Sequence, residues 1–217
     1  MSRVVGLDVS LRAPGVCWLH GKLRRDNRDR CGRICSRIGD GLEAEATSFR
    51  LGEDLRGPHR LAVLTDAIEA WLRSRDLLTV GRLYVQEGYA FGSQQSHSLG
   101  EIGGCIRKVI WQSGGNLIVI PPSTLKRFVT GVGKGNKNVM VKHVDKRWGF
   151  DSDDENECDA FACSMVGLVD TYRDEWSAIE ADILSKKVER YAGKDQEAWL
   201  GGGAPGKMAR RSRRRLA

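Results

Sequence analysis

Three acidic residues interrupt strongly apolar stretches of the sequence, and carboxylates in such positions can bind metal ions. Asp8 closes a β-branched run near the N-terminus, Glu87 closes a second apolar run, and Asp159 opens an apolar helical segment. A lone buried carboxylate is costly, and three together would repel one another until at least one bound a proton. Divalent cations with oxygen ligands remove this cost, and two such ions roughly 3.5–4 Å apart can promote phosphodiester hydrolysis. The three acids therefore predict a metal site that cleaves a nucleic-acid backbone.

Each acid also has an ordinary structural explanation. Asp8 could begin a turn, since Pro14 follows it closely, and Glu87 could be a surface residue at the end of a strand. Asp159 could occupy the third position of a helix capped by Asn156, where a negative charge favours the helix dipole. Three such coincidences, in elements that the predicted topology makes neighbours, are less probable than one shared site.

The elements that must position these acids follow from the periodicity of the apolar residues. Five strands are predicted, over Val4–Ser10, Val16–His20, Ala46–Leu51, Leu83–Glu87 and Leu117–Ile120. Helices are predicted over Pro58–Arg75, 96–113, Ser123–Phe128 and Asn138–Trp148, in the segment that carries Asp159, and over Asp174–Ala192.

This order predicts an α/β fold with a mixed five-stranded sheet. Three strands form an antiparallel meander, two more add in parallel, and helices cover both faces. Strands one and four can then lie side by side. Their C-terminal ends bring Asp8 and Glu87 together at the edge where open α/β sheets place their sites.

The composition indicates one globular domain with an appendage: 217 residues, 41% hydrophobic and 29% charged. No apolar run reaches the roughly 18 residues that a membrane helix needs, and no secretory signal is visible at the N-terminus. The six cysteines form no regular framework, which favours a reducing cytoplasm. Cys31 and Cys35, with His20 or His59, leave a zinc site open, although their spacing is poor for one.

The positive charge is concentrated in the C-terminal tail. The chain has a formal net charge of +7, and the residues from Lys194 onward contain seven basic and two acidic side chains, or +5. The remainder is therefore only +2, so charge alone does not place nucleic acid on the core. The tail could be a solvated end that adds solubility, or an arm that binds phosphates.

Four segments, in this order and spacing, carry a resemblance to a known family. They are GLDVSLRAPGVCW, YVQEGYAF, PPSTLKRFVTGVGKGNKNVMV and NECDAFACSMVGL. Over about residues 3–170 the chain resembles the RuvC-type Holliday junction resolvases of the ribonuclease H-like superfamily, and the phage-borne branch most. The resemblance implies a ribonuclease H-like fold and a nuclease of DNA recombination and repair. It also implies Mg²⁺ or Mn²⁺, with two ions per site, and a homodimer that cuts four-way DNA junctions symmetrically.

The resemblance also assigns the site residues. The family's carboxylates fall on Asp8, Glu87 and Asp159. A fourth metal ligand, often Asp in the family, lies three residues before the last of these. In this chain that position is Asn156, a neutral and weaker oxygen ligand, and Glu155 or Asp153 could compensate.

Candidate DNA contacts surround these residues in the sequence. The glycine-rich loop 130–137 lets a backbone approach phosphate closely, but no Ser or Thr follows its Gly-Lys and it is no Walker P-loop. Two aromatic residues after Glu87 could stack at an opened branch point or pack their own loop. The candidate DNA-binding residues are Tyr89, Phe91, Lys126, Arg127, Lys134, Lys137, Arg210, Arg211, Arg213 and Arg214.

The chain is predicted to divide into a nuclease domain over residues 1–172, a helix over 173–192 and a flexible basic tail over 193–217. If phage-encoded, it would act in the cytoplasm of a bacterial host. Two other functions stay open: an RNA-processing nuclease of the same superfamily, and a non-catalytic protein that binds branched DNA. An actin-like ATPase shares the first strand's pattern but needs two such domains, and this chain has room for one.

Overall fold

The structure is a computed structural model that describes residues 3–23, 36–89, 96–132, 137–173, 177–186 and 188–194. Within these ranges the strands are β1 (Val4–Asp8), β2 (Gly15–Gly21), β3 (Leu42–Ser48), β4 (Leu83–Glu87), β5 (Asn116–Ile120) and β6 (Glu189–Tyr191). The helices are α1 (Gly57–Ser74), α2 (Ser96–Gln112), α3 (Pro122–Thr130), α4 (Lys137–Trp148), α5 (Glu155–Asp170) and α6 (Ala178–Lys186). None of the helices in these ranges is both long and apolar enough to cross a membrane.

The strands form one mixed sheet in the order β3-β2-β1-β4-β5-β6. β1 pairs antiparallel with β2 and β2 with β3, whereas β1, β4 and β5 run parallel. The parallel pairs arise because α1 and α2 each carry the chain back to the starting edge before the next strand begins. The predicted meander, the parallel strands and the adjacency of strands one and four are confirmed.

Helices cover both faces of the sheet, because alternate residues of each strand point to opposite sides. Val4, Val85 and Ile118 belong to a core shared with α3, α4, α5 and α6. Val5 and Tyr84 belong to a second core shared with α1 and α2. Both faces of the central strands are therefore buried, which accounts for their nearly uncharged sequences.

β3 begins and ends earlier than predicted, at Leu42 and Ser48 instead of residues 46 and 51. It pairs along the whole of β2, and its polar residues have partners that the local sequence does not reveal. Glu45, for example, accepts a hydrogen bond from the indole of Trp18 at 2.9 Å.

The prediction of one helix over Asp174–Ala192 is wrong at its C-terminal end. Helix α6 ends at Lys186, and Glu189–Tyr191 forms β6, a sixth strand antiparallel to β5. The Arg190 guanidinium donates to Asp170 Oδ1 at 2.6 Å and to the Leu184 carbonyl at 2.8 Å. These long-range contacts override the local helical pattern.

Candidate active site

Asp8, Glu87 and Asp159 meet at one edge of the sheet. Each contributes a carboxylate oxygen to a group in which all such atoms lie within 4.8 Å of one another. The first two acids end β1 and β4, whose parallel register pairs Leu7 with Gln86 one residue earlier. Asp8 is only 9% exposed. The predicted convergence is confirmed, and in the part of the chain that the structure describes this is the one such acidic cluster.

Two glycines allow helix α5 to bring Asp159 to the ends of the strands. A Cβ on Gly6 would lie 1.9 Å from the Ala160 carbonyl oxygen, and one on Gly15 would lie 2.0 Å from the Asn156 carbonyl oxygen. No side chain fits at these separations, so the helix backbone rests directly on β1 and β2. Since Gly6 and Asp8 share a face of β1, this crossing sets Asp159 beside Asp8.

The alternative explanation of Asp159 as a third-position helix residue is wrong. The N-cap of α5 is Asp154, whose side chain accepts from the Asn156 backbone N–H, and the helix begins at Glu155. Asp159 therefore lies beyond the first turn, where the helix dipole gives little stabilisation.

The electrostatics of the cluster favour a cation. Burial raises the pKa of Glu87 well above its ordinary value, and the negative charges of Asp8 and Asp159 and a hydrogen bond with Asp8 raise it further. The positive charge of Lys126 offsets part of this effect. A set of carboxylate oxygens is the donor set that Mg²⁺ and Mn²⁺ prefer, with metal–oxygen distances of about 2.1 Å for Mg²⁺. The residues present therefore fit a divalent ion.

The raised pKa of Glu87 predicts how stability depends on pH. The folded state binds this proton more tightly than the unfolded state, so the stabilisation is complete below the ordinary pKa of 4.5. It is lost as the pH rises through the higher folded pKa. In the metal-free protein, Glu87→Gln should therefore raise the melting temperature, and by an increasing amount as the pH rises above about 4.5. Addition of Mn²⁺ should reduce that difference.

Melting curves recorded in a chelator over this pH range test the prediction. The matched control is Glu101→Gln, because Glu101 is an exposed acid on α2. Wild-type and Glu87→Gln melting temperatures that stay parallel across the range would show that Glu87 does not carry the proton.

The other predicted site residues lie at various distances from the cluster. Lys126, on α3, acts electrostatically on Glu87. The ring of Tyr89 packs against α2 at Gly100. A Cβ added to Gly100 would lie 3.7 Å from the Tyr89 hydroxyl oxygen. Arg127 forms an ion pair with Asp182 of α6 at 2.8 Å, so it has a structural partner, and its contact with DNA stays a prediction.

Several predicted residues lie outside the described part of the structure. Lys137 begins α4, but its side chain is not among the described ones. The other DNA-binding and zinc candidates outside the described residues are Phe91, Lys134, Arg210, Arg211, Arg213, Arg214, Cys31 and Cys35. Neither Glu155 nor Asp153, the suggested substitutes for a fourth carboxylate, belongs to the acidic cluster.

Sequence reasoning missed Asp154, which links the N-terminus of α5 to the end of β3. Its Oδ2 accepts from the Ser48 hydroxyl at 2.7 Å and from the Arg50 guanidinium at 2.9 Å. Burial alone would raise the pKa of Asp154, but hydrogen bonds from Ser48, Arg50 and Asn156 hold that pKa below its ordinary value. An acid followed three residues later by Glu157 is a helix N-terminus signal that could have identified it.

The structure has a ribonuclease H-like α/β fold. Three features define it: the mixed strand order, the helices on both faces of the sheet, and the acidic cluster at the sheet edge. Within this class the chain is similar to RuvC of Thermus thermophilus, with a TM-score of 0.59 and 14% sequence identity over 79% of this chain and 96% of RuvC. The chain is also similar to T. thermophilus RuvC in complex with a Holliday junction substrate. Here the TM-score is 0.55 and the sequence identity 12%, over 81% of this chain and 96% of that chain.

A yeast mitochondrial Holliday junction resolvase aligns with a TM-score of 0.43 and 12% identity, over 84% of this chain and 80% of that one. This third likeness is too weak to argue from. No protein-family model matches the sequence, and no curated protein is significantly similar to it. The resemblance to RuvC-type proteins is thus confirmed at the level of the fold, whereas the phage branch stays a prediction.

Proposed function

We propose that this protein is a metal-dependent endonuclease that hydrolyses phosphodiester bonds in branched DNA, with the four-way junction as its substrate. The observation that carries the proposal is the convergence of Asp8, Glu87 and Asp159 at the edge of a RuvC-like sheet. The T. thermophilus relative that binds a Holliday junction substrate supplies the substrate class.

The chain's own residues define what the site would do. Asp8, Glu87 and Asp159 would hold two Mg²⁺ or Mn²⁺ ions, with the side-chain oxygen of Asn156 as a fourth, neutral ligand. When bound, such ions lower the pKa of water and offset the charge of a phosphate. Lys126 adds a positive charge beside the cluster, which favours approach of a phosphate over an otherwise acidic surface.

Water is the nucleophile that this site favours. The thiol of Cys163 lies within the electrostatic influence of the cluster, and burial, followed by the charges of Glu87, Asp159 and Asp8, raises its pKa well above the ordinary value. This thiol is therefore protonated at neutral pH and a poor nucleophile. Hydrolysis directed by carboxylate-bound metal needs no covalent intermediate on the protein.

One gel assay tests the proposal against its alternatives. Labelled four-way junction, linear duplex, single strand and structured RNA are incubated with the full chain, with and without Mg²⁺ or Mn²⁺. The proposal expects metal-dependent, paired cuts in the junction alone. Cleavage of the RNA instead would indicate an RNA-processing nuclease, and tight junction binding without cleavage in either metal would indicate a non-catalytic binding protein.

The proposal includes a homodimer, because symmetrical cutting of two strands requires two sites and the described part of the chain has one acidic cluster. A solution mass of twice 24.1 kDa is expected, and a monomer on the junction would contradict it. Action in the cytoplasm of a bacterial host belongs to the same proposal, and fractionation of expressing cells would test it.

The basic tail is proposed to bind DNA phosphates. Truncation after Lys194 removes six basic and two acidic residues but keeps the hydrogen bond from the Gly193 N–H to Asn116 Oδ1 at 3.0 Å. Junction binding should weaken, and the slope of log affinity against log salt should flatten by about 0.9 for each phosphate that the tail no longer neutralises. Fluorescence anisotropy at several salt concentrations measures both quantities.

The matched control keeps the tail but removes four of its six positive charges, with glutamine at positions 210, 211, 213 and 214. If phosphate neutralisation is the cause, this variant should reproduce most of the effect of the truncation. A salt slope that neither change alters would show that the tail does not touch DNA.

A further inference from the structure

Asp154 is placed to control a neighbouring side chain as well as the helix that it caps. Its Oδ1 accepts two hydrogen bonds from Asn156, one from the backbone N–H at 2.8 Å and one from the side-chain Nδ2 at 2.9 Å. Its Oδ2 is held by Ser48 and Arg50. The carboxylate is therefore fixed from both sides, and its side chain is 17% exposed.

An ionised carboxylate accepts hydrogen bonds and donates none. The carboxamide nitrogen of Asn156 must consequently face Asp154, and the carboxamide oxygen must face away from it. A carboxamide without this contact could turn its NH₂ group outward, and an NH₂ group cannot bind a cation. The hydrogen bond to Asp154 therefore selects one of two orientations.

The position of Asn156 makes the selected orientation relevant to the acidic cluster. Asn156 lies one helical turn before Asp159 on the same face of α5. Its backbone carbonyl lies against Gly15, which is the residue paired with Asp8 in the sheet. Asn156 therefore lies one turn from Asp159 and against the sheet partner of Asp8.

We propose that Asp154 is a positioning residue that presents the Oδ1 of Asn156 to the divalent ions held by Asp8, Glu87 and Asp159. This inference rests on the proposed function, since it concerns the same metal site. The positioning role explains how the neutral side chain of Asn156 can serve where a carboxylate would bind a divalent ion more strongly. A fixed orientation of the carboxamide compensates for its weaker intrinsic affinity for the ion. Residues that orient a metal ligand typically affect affinity by about 10–100-fold.

The test is Mn²⁺ binding by the full chain without DNA, measured by titration calorimetry or electron paramagnetic resonance. Asp154→Ala should weaken Mn²⁺ binding by about 10–100-fold. Asp154→Asn keeps an oxygen that can accept from Asn156, so it should retain most of the affinity. Arg50→Ala removes one of the two partners of Asp154 Oδ2 and keeps both Ser48 and Asn156, so it should weaken Mn²⁺ binding far less than Asp154→Ala does.

A second background separates orientation from helix capping. In Asn156→Asp, the group facing Asp154 becomes a carboxylate, and the two negative charges repel. Neutralising Asp154 in that background, as Asp154→Asn, should then strengthen Mn²⁺ binding, whereas the same change in the wild-type background should not. A purely structural role predicts the same direction of change in both backgrounds.

The outcomes distinguish this inference from the proposed function. If the wild-type chain neither binds Mn²⁺ nor cuts a junction, the proposed function fails. If it binds and cuts, but Asp154→Ala binds Mn²⁺ equally well, the positioning role is overturned. If Asp154→Ala does not fold, as its thermal unfolding would reveal, the sign of the Asp154→Asn effect in the two backgrounds decides.

Discussion

Asp8→Asn should abolish junction cleavage and leave junction binding intact. The substitution keeps the shape of the side chain but removes a charge from the cluster that Asp8 forms with Glu87 and Asp159. Loss of metal-based charge stabilisation is worth several kcal/mol, so the cleavage rate should fall by roughly 10³-fold or more. Binding should survive because phosphate contacts, not the acidic cluster, dominate affinity for DNA. Single-turnover cleavage and anisotropy measure the two effects separately.

The same variant should stabilise the metal-free protein, because it removes a negative charge that repels the other two acids. That charge is also one of the causes that raise the pKa of Glu87. Thermal unfolding in a chelator measures this stabilisation. Asp66→Asn is the matched control, since Asp66 is exposed on α1, and it should change neither cleavage nor stability. Full cleavage by Asp8→Asn in Mg²⁺ would remove the basis of the proposed function.

Gly6→Ala should impair both folding and catalysis. The new Cβ would lie 1.9 Å from the Ala160 carbonyl oxygen and 2.4 Å from the Ser164 nitrogen. Both are backbone atoms in the middle of α5, so no side-chain rotation relieves the clash and the helix must move off β1. Overpacking typically costs about 1–3 kcal/mol, which in a chain of this size lowers the melting temperature by roughly 2–12 °C.

Movement of α5 also carries Asp159 away from Asp8. A displacement of about 1 Å at a catalytic group can cost about 10²-fold in rate, so cleavage by the folded fraction should fall by that order. Gly104→Ala is the control, because nothing lies within 4 Å of a Cβ at Gly104 and alanine favours a helix. Normal cleavage by Gly6→Ala would show that the contact between α5 and β1 does not position the site.

The local sequence determined which elements form and which side chains are anomalous within them. The strand over Leu83–Glu87 and the helix that begins near Pro58 follow from short-range periodicity, and the structure has both. Asp8 and Glu87 stood out because a charge at the end of an apolar strand is costly without a partner. These inferences depend on interactions between residues close in sequence, and the local pattern of apolar and polar residues reflects such interactions.

Tertiary structure decided what depends on residues far apart in the chain. The C-terminal pattern suggested a continuous helix, but pairing with β5 and the contact from Arg190 to Asp170 produced β6. Likewise, the sequence left open a helix capped by Asn156, whereas Asp154 caps α5 and contacts Ser48 and Arg50, at and just after the end of β3.

The sequence therefore predicted which acids would meet in the cluster, because the cost of burying a charge can be judged for each residue separately. It did not reveal how those acids are held. The close approach of α5 at Gly6 and the orientation of Asn156 depend on which backbones meet in space. These features depend on contacts between segments far apart in the sequence, which only the folded chain brings together.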